Sequence, residues 1–186
     1  CKGSERPQRC PRVWSGDGNF RMRYVVRGID FGYNDPFVCL WGALDEDMRL
    51  LFYKLHYQRK RIVSDHAGVI KNRNGKDPVI WTVADHDAED AATLRREGVP
   101  TRPAKKDRPI KAGCDRVMKR LLVEEDGRPR LEVCKYLNPM LDEFGSYVWN
   151  ARKDSPKDLD NHVMDAMRYI CAEIDSGRGS EILPAG

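Results

Sequence analysis

The sequence predicts an α/β fold, a mixed central sheet of three antiparallel strands followed by parallel strands, flanked by helices. Three observations carry this. Three strand-length runs stand close together early in the chain, joined by short turn clusters. Strand-like runs then alternate with apolar residues at helical spacing, and an amphipathic helix closes the pattern. At 186 residues with 40% hydrophobic content, the chain suits one domain around one core.

Residues 1–20, rich in Arg, Pro, Gly and Ser without hydrophobic period, read as a linker or loosely docked arm. The domain is expected over residues 21–177, with a loose tail over 178–186. Residues 22–29 read as a strand, β-branched at Val25, Val26 and Ile29. The turn formers Gly32, Asn34, Asp35 and Pro36 precede a second strand over 37–44, apolar on both faces and therefore central. Asp45-Glu46-Asp47 turns the chain into a third strand over 48–57, so the three form an antiparallel meander. A short helix follows over 62–71 and ends at Gly75. Residues 78–84 make a fourth strand, residues 88–97 a helix closed by Gly98, and residues 99–103 a short fifth strand. Ile110, Cys114, Val117, Met118, Leu121 and Leu122 keep helical spacing within a helix over 109–125. Gly127 breaks it before a short strand over 131–134. Leu159, Val163, Ala166, Met167, Ile170 and Ile174 stripe the last helix, 159–174. That order of elements is the ribonuclease H-like one.

Composition narrows the partners. No apolar run approaches the roughly 18 residues of a membrane span, and no secretory signal opens the chain, so no membrane partner is expected. The chain does not begin with Met, which suggests a piece of a longer protein. Its 33 basic residues against 29 acidic ones leave only +4, but they are segregated. Eight Lys/Arg fall in residues 49–76 and eight in 102–120, whereas the acids gather in 85–90 and 154–165. Basic flanks around acidic clusters suit an enzyme acting on a polyanion through bound cations; a patchwork of solvated faces is the plain alternative. The six cysteines form no C-x-x-C pair, and Cys39, Cys134 and Cys171 sit in apolar stretches, as reduced thiols do.

The chemistry points to three carboxylates. Asp30 ends the first strand between Gly28 and Gly32, where a backbone without Cβ atoms can approach a charged ligand. Asp85 closes the fourth strand and could equally cap the following helix. Asp165 stands beside the apolar stripe of the last helix, poorly solvated without a partner such as Arg168 or a ligand. Neighbouring strands ending at one sheet edge would bring Asp30 and Asp85 together, with a helix across that edge presenting Asp165. Such a set is expected to be catalytic and to bind Mg²⁺ or Mn²⁺, as two ions supporting phosphoryl displacement. His162, one turn before Asp165, is an accessory candidate that could ligate metal or orient water. Lys105, Lys106, Arg108 and Lys111 cluster after the fifth strand and are expected to contact the phosphate backbone of a polyanionic ligand.

The set GIDFGYNDP, then VIWTVADHDAEDAATLRREGVPTRPAKKD, then NHVMDAMRY resembles the nuclease domain of bacteriophage terminase large subunits. The Asn-His pair followed by Asp-Ala-x-Arg-Tyr is its most characteristic piece. The helix over 109–125, the hairpin around Gly127, Pro139-Met-Leu-Asp-Glu143-Phe and Tyr147-Val-Trp149 extend the likeness across residues 21–174. The resemblance implies a ribonuclease H-like, metal-dependent endonuclease acting on double-stranded DNA, with Asp30, Asp85 and Asp165 as metal-binding acids. Because the second motif is unusually acidic, Asp87 could supplement or replace Asp85 as ligand. It also implies an upstream ATPase domain, the portal protein and the small terminase subunit as partners, and the host bacterial cytoplasm, at the procapsid packaging motor, as location. The chain itself carries no G-x-x-x-x-G-K-[ST] phosphate loop, so no motor activity is expected of it alone. Two other readings compete: a Holliday-junction resolvase or transposase-like nuclease of the same fold, separated by substrate, and a non-catalytic nucleic-acid-binding module, separated by absence of metal dependence.

Overall fold

The computed structural model describes residues 22–150, 155–156 and 161–176. The arm expected over 1–20 and the tail over 178–186 lie outside them. Eight strands and five helices follow in the order β1 (Tyr24–Asp30), β2 (Phe37–Leu44), β3 (Leu50–Gln58), α1 (Val63–Asn74), β4 (Val79–Ala84), α2 (Ala88–Arg96), β5 (Arg102–Pro103), α3 (Ile110–Leu121), β6 (Leu131–Val133), α4 (Asn138–Ser146), β7 (Trp149–Asn150), β8 (Ser155–Pro156) and α5 (His162–Asp175) among the described residues.

The main sheet has the order β5-β4-β1-β2-β3-β6. β1, β2 and β3 form the expected antiparallel meander, whereas β4, β5 and β6 pair in parallel with β1, β4 and β3. This is the ribonuclease H-like arrangement. β2, apolar on both faces, is buried along its whole length at the centre. Helix α5 crosses β1 on one face, and a Cβ on Gly28 would stand 2.4 Å from the Ala166 carbonyl oxygen. α1 lies on the opposite face, where Lys54 Nζ donates to the Arg73 carbonyl at 2.7 Å. α5 is buried almost all round, from Val163 to Ile174, which explains its near-continuous apolar content.

Three local expectations change. Residues 138–146 form α4, for which the apolar spacing gave no helix; Pro139 sits in its first turn, where its missing N–H costs nothing. The helix over 109–125 stops at Leu121, because Leu122 turns extended at ψ 137 and Val123 bridges to Pro129 across Gly127, at φ 79. Its apolar residues do not all face the core: Met118 is 61% exposed, while Arg120 is buried and ion-paired with Asp175. The four described cysteines are free thiols, three of them buried. No described helix is long and apolar enough to cross a membrane.

Candidate active site

β1 and β4 run in parallel with Ile29 beside Ala84, so Asp30 and Asp85 leave the sheet at the same edge. The Asp85 N–H donates to the Ile29 carbonyl at 3.1 Å, holding the two strand ends together. The glycine in Gly28-Ile29-Asp30 acts differently from the sequence expectation. It admits the backbone of α5 rather than a ligand, since any Cβ there would strike Ala166 and Ile170. Gly32 likewise serves the turn, where a Cβ would meet the carbonyl oxygens of Asp35 and Pro36 at 2.7 Å. The close passage of α5 sets His162 and Asp165 over the sheet edge.

His162 Nδ1 donates to Asp30 Oδ2 at 3.0 Å. Asp30 is only 7% exposed. Burial pushes its carboxyl up to about 6, against the His162 hydrogen bond, and the charges of Asp165 and Asp85 push the same way. The Asp30 hydrogen bond and charge in turn raise His162, more than burial lowers it. Asp85 pairs with Lys106. Burial alone would raise its carboxyl, but hydrogen bonds from Lys106 and the His86 backbone N–H hold it below the ordinary range. Asp165 pairs with Arg168, one turn along α5. Burial and the negative charges of Asp165, Asp30 and Asp85 together raise the Tyr169 hydroxyl, so all three acids act on one point. Among the described residues, no group of three His, Cys, Asp or Glu side chains is arranged to hold a metal ion; Lys106 and Arg168 pair with two of the acids.

Asp87 is the N-cap of α2, its Oδ1 accepting from the N–H groups of Glu89 and Asp90 at 3.1 and 3.0 Å. Capping and the helix dipole account for much of the acidity of residues 85–90. Lys105, Lys106, Arg108 and Lys111 are all exposed, and Lys106 pairs with Asp85. Their loop leaves the sheet beside Asp85, where the Ala104 N–H donates to the Ala84 carbonyl at 2.7 Å.

The sequence reading missed Glu143. From α4, its Oε2 accepts the backbone N–H groups of Val163 and Met164 at 2.7 and 3.2 Å, fastening the first turn of α5 that carries His162. It is 3% exposed, and burial pushes its carboxyl up to about 7 despite those bonds. The available signal was one of two adjacent acids in Pro139-Met-Leu-Asp-Glu-Phe, a stretch with no predicted helix to give either a direction.

No family model and no curated protein matches the sequence. Solved structures do. The nuclease domain of the P22 large terminase superposes with a TM-score of 0.68 at 19% identity, covering 82% of this chain and 81% of that one. The large terminase of a thermophilic bacteriophage, in complex with ATP-gamma-S, gives 0.71 at 18% identity over 83% of this chain, which spans 41% of that protein. The large terminase nuclease of thermophilic phage G20c, with bound cobalt, gives 0.55 at 20% identity over 81% of each chain. The sheet order and the helix across β1 thus share the ribonuclease H-like fold of solved large terminase nuclease domains.

Proposed function

We propose that this chain is the nuclease domain of a phage DNA-packaging terminase, a metal-dependent endodeoxyribonuclease that cuts concatemeric double-stranded DNA. What supports the proposal is that Asp30 and Asp85 end neighbouring parallel strands, with Asp165 of α5 close enough for its charge to act on Asp30. Their donor chemistry fits hard divalent cations: oxygen only, with a buried acid raised by burial and two like charges. Lys106 and Arg168 already occupy the positions of counter-charge. Asp30, Asp85 and Asp165 would hold Mg²⁺ or Mn²⁺, as two ions. When bound, such ions activate water as a nucleophile and neutralise charge on the leaving oxygen.

The chain's own residues do the rest. Asp30 is held by His162, which fixes the carboxylate's orientation and keeps a proton on Nδ1. Glu143 fixes the start of α5 and with it both His162 and Asp165. Lys105, Lys106, Arg108 and Lys111 hold the DNA backbone beside Asp85. The proposal extends to the full protein: an upstream ATPase domain, the portal protein and small subunit as partners, and the procapsid motor in the host cytoplasm as location. The test is cleavage of plasmid and linear duplex in Mg²⁺ or Mn²⁺ by the wild-type chain and by Asp30→Asn. Metal-dependent cleavage with little sequence preference, abolished by the substitution in a folded protein, is expected. Wild-type-like activity of Asp30→Asn would overturn the assignment.

A further inference from the structure

The face of the sheet opposite α5 holds a cavity that the nuclease reading does not use. It has a volume of about 320 Å³ and lies between the ends of α1 and α2 and the start of β4. Gly28 faces α5, so its neighbour Arg27 points to the other side and lines this cavity. Arg27 is only 6% exposed. Its Nε donates to Thr82 Oγ1 at 2.9 Å, and among the described residues no carboxylate pairs with it. Burial accordingly lowers its pKa, and the groups opposing that shift are Cys39 and Tyr53 rather than any acid.

An acid that reaches this face, Asp77, is engaged by other groups. Across the sheet, Thr82, Arg27, Trp41 and Lys54 stand in one row. Asp77 Oδ2 accepts from both Lys54 Nζ and the Tyr53 hydroxyl at 2.7 Å. Lys71, exposed on α1, lines the same cavity as Arg27. A guanidinium this buried, bonded through Nε to Thr82 and with no carboxylate paired to it among the described residues, is costly unless an anion meets it. The cavity therefore has a cationic floor, a second cation at its rim and, among the described residues, no acid in its lining.

We propose that this cavity is an anion site for a phosphate group, held by Arg27 and Lys71 and separate from the carboxylate edge. The planar guanidinium suits bidentate contact with an oxyanion, and the Lys71 ammonium adds a point charge. The phosphate belongs to a free phosphate or nucleotide, or to a DNA backbone passing this face. The inference is independent of the nuclease reading, because binding is measured without metal or cleavage.

The experiment titrates inorganic phosphate into the ¹⁵N-labelled chain in EDTA, with chloride adjusted to constant ionic strength. Saturable shifts are expected for the Arg27 Nε–H, for the Gly98 and Val99 amides that line the cavity, and for the Trp41 indole N–H, which donates to Asn74 at 3.4 Å. Arg27→Met, near in shape and uncharged, should weaken binding by roughly tenfold or more, the worth of a charge-assisted hydrogen bond. Lys71→Glu, at an exposed position, should do the same and decides the matter should Arg27→Met not fold. Shifts absent up to tens of millimolar phosphate, reproduced by chloride alone, or unchanged in Lys71→Glu overturn the proposal. A short duplex that displaces phosphate from these signals identifies the DNA backbone as the source. Phosphate saturating alongside bound duplex identifies a free anion; either result upholds the site.

Discussion

Asp30 shows how one residue trades stability for chemistry. Its carboxyl is raised from the ordinary range to about 6, so the folded state binds its proton more tightly than the unfolded chain does. Without metal this residue costs no stability below about pH 4, and the cost grows as pH rises through 6. Asp30→Asn should therefore stabilise the metal-free protein above about pH 7, by an amount on the order of 2 kcal/mol, with the advantage vanishing in acid. Melting temperatures in EDTA at about pH 5 and pH 8 check this; an equal gap at both pH values contradicts it. His162 is predicted to be accessory: His162→Ala should reduce cleavage and change the ratio of Mn²⁺ to Mg²⁺ rates, because nitrogen donors suit Mn²⁺ better. Unaltered rates in both metals, in a variant with unchanged melting, would remove His162 from the site.

At the scale of elements, the crossing of α5 over β1 decides whether the acids meet. A Cβ at residue 28 would lie 2.4 Å from the Ala166 backbone oxygen and 2.9 Å from Ile170 Cγ1, and the backbone contact has no rotamer to escape into. Gly28→Ala should destabilise the fold by about 1–3 kcal/mol through overpacking and abolish most cleavage by lifting Asp165 and His162 from Asp30. Denaturant unfolding and cleavage on the same preparation measure both effects; wild-type activity would show that the helix position is not critical. The closing motif was legible as a helix from its apolar stripe. What placed it was not, because the glycine that admits it and the Glu143 that fastens its start lie 134 and 19 positions before His162, as the numbering gives.

Over the whole molecule, charge and buried histidines set the response to salt and acid. Neutralising Lys105, Lys106, Arg108 and Lys111 together should weaken DNA binding evenly across sequences and flatten its dependence on salt by up to about four counterions. An unchanged salt slope would assign these side chains to solvent. On the α1 face, His56 Nε2 and His66 Nδ1 share a hydrogen bond at 2.8 Å, with Phe37 stacked on His66 at 4.0 Å. Burial lowers both, His56 to about 3 with help from the charges of His66, Arg73 and Arg61. Lowered histidines favour folding above about pH 6.5 and withdraw that support as pH falls, since the unfolded chain then takes up protons first. Replacing both by Phe should flatten the loss of stability between about pH 6.5 and 4, measured by urea unfolding; an unchanged slope would place the acid sensitivity elsewhere. By itself, the sequence determined the order of the strands and helices apart from α4 and the short β7 and β8, and which acids end β1 and β4, because periodicity and turn chemistry are local. Only the tertiary structure decided that Lys106 neutralises Asp85, that Asp87 caps a helix, that Gly28 serves a helix rather than a ligand, and that Arg27 lies buried with no acid paired to it among the described residues. Each of these depends on which distant side chains share a low-dielectric space, and that is fixed by packing rather than by neighbours in the chain.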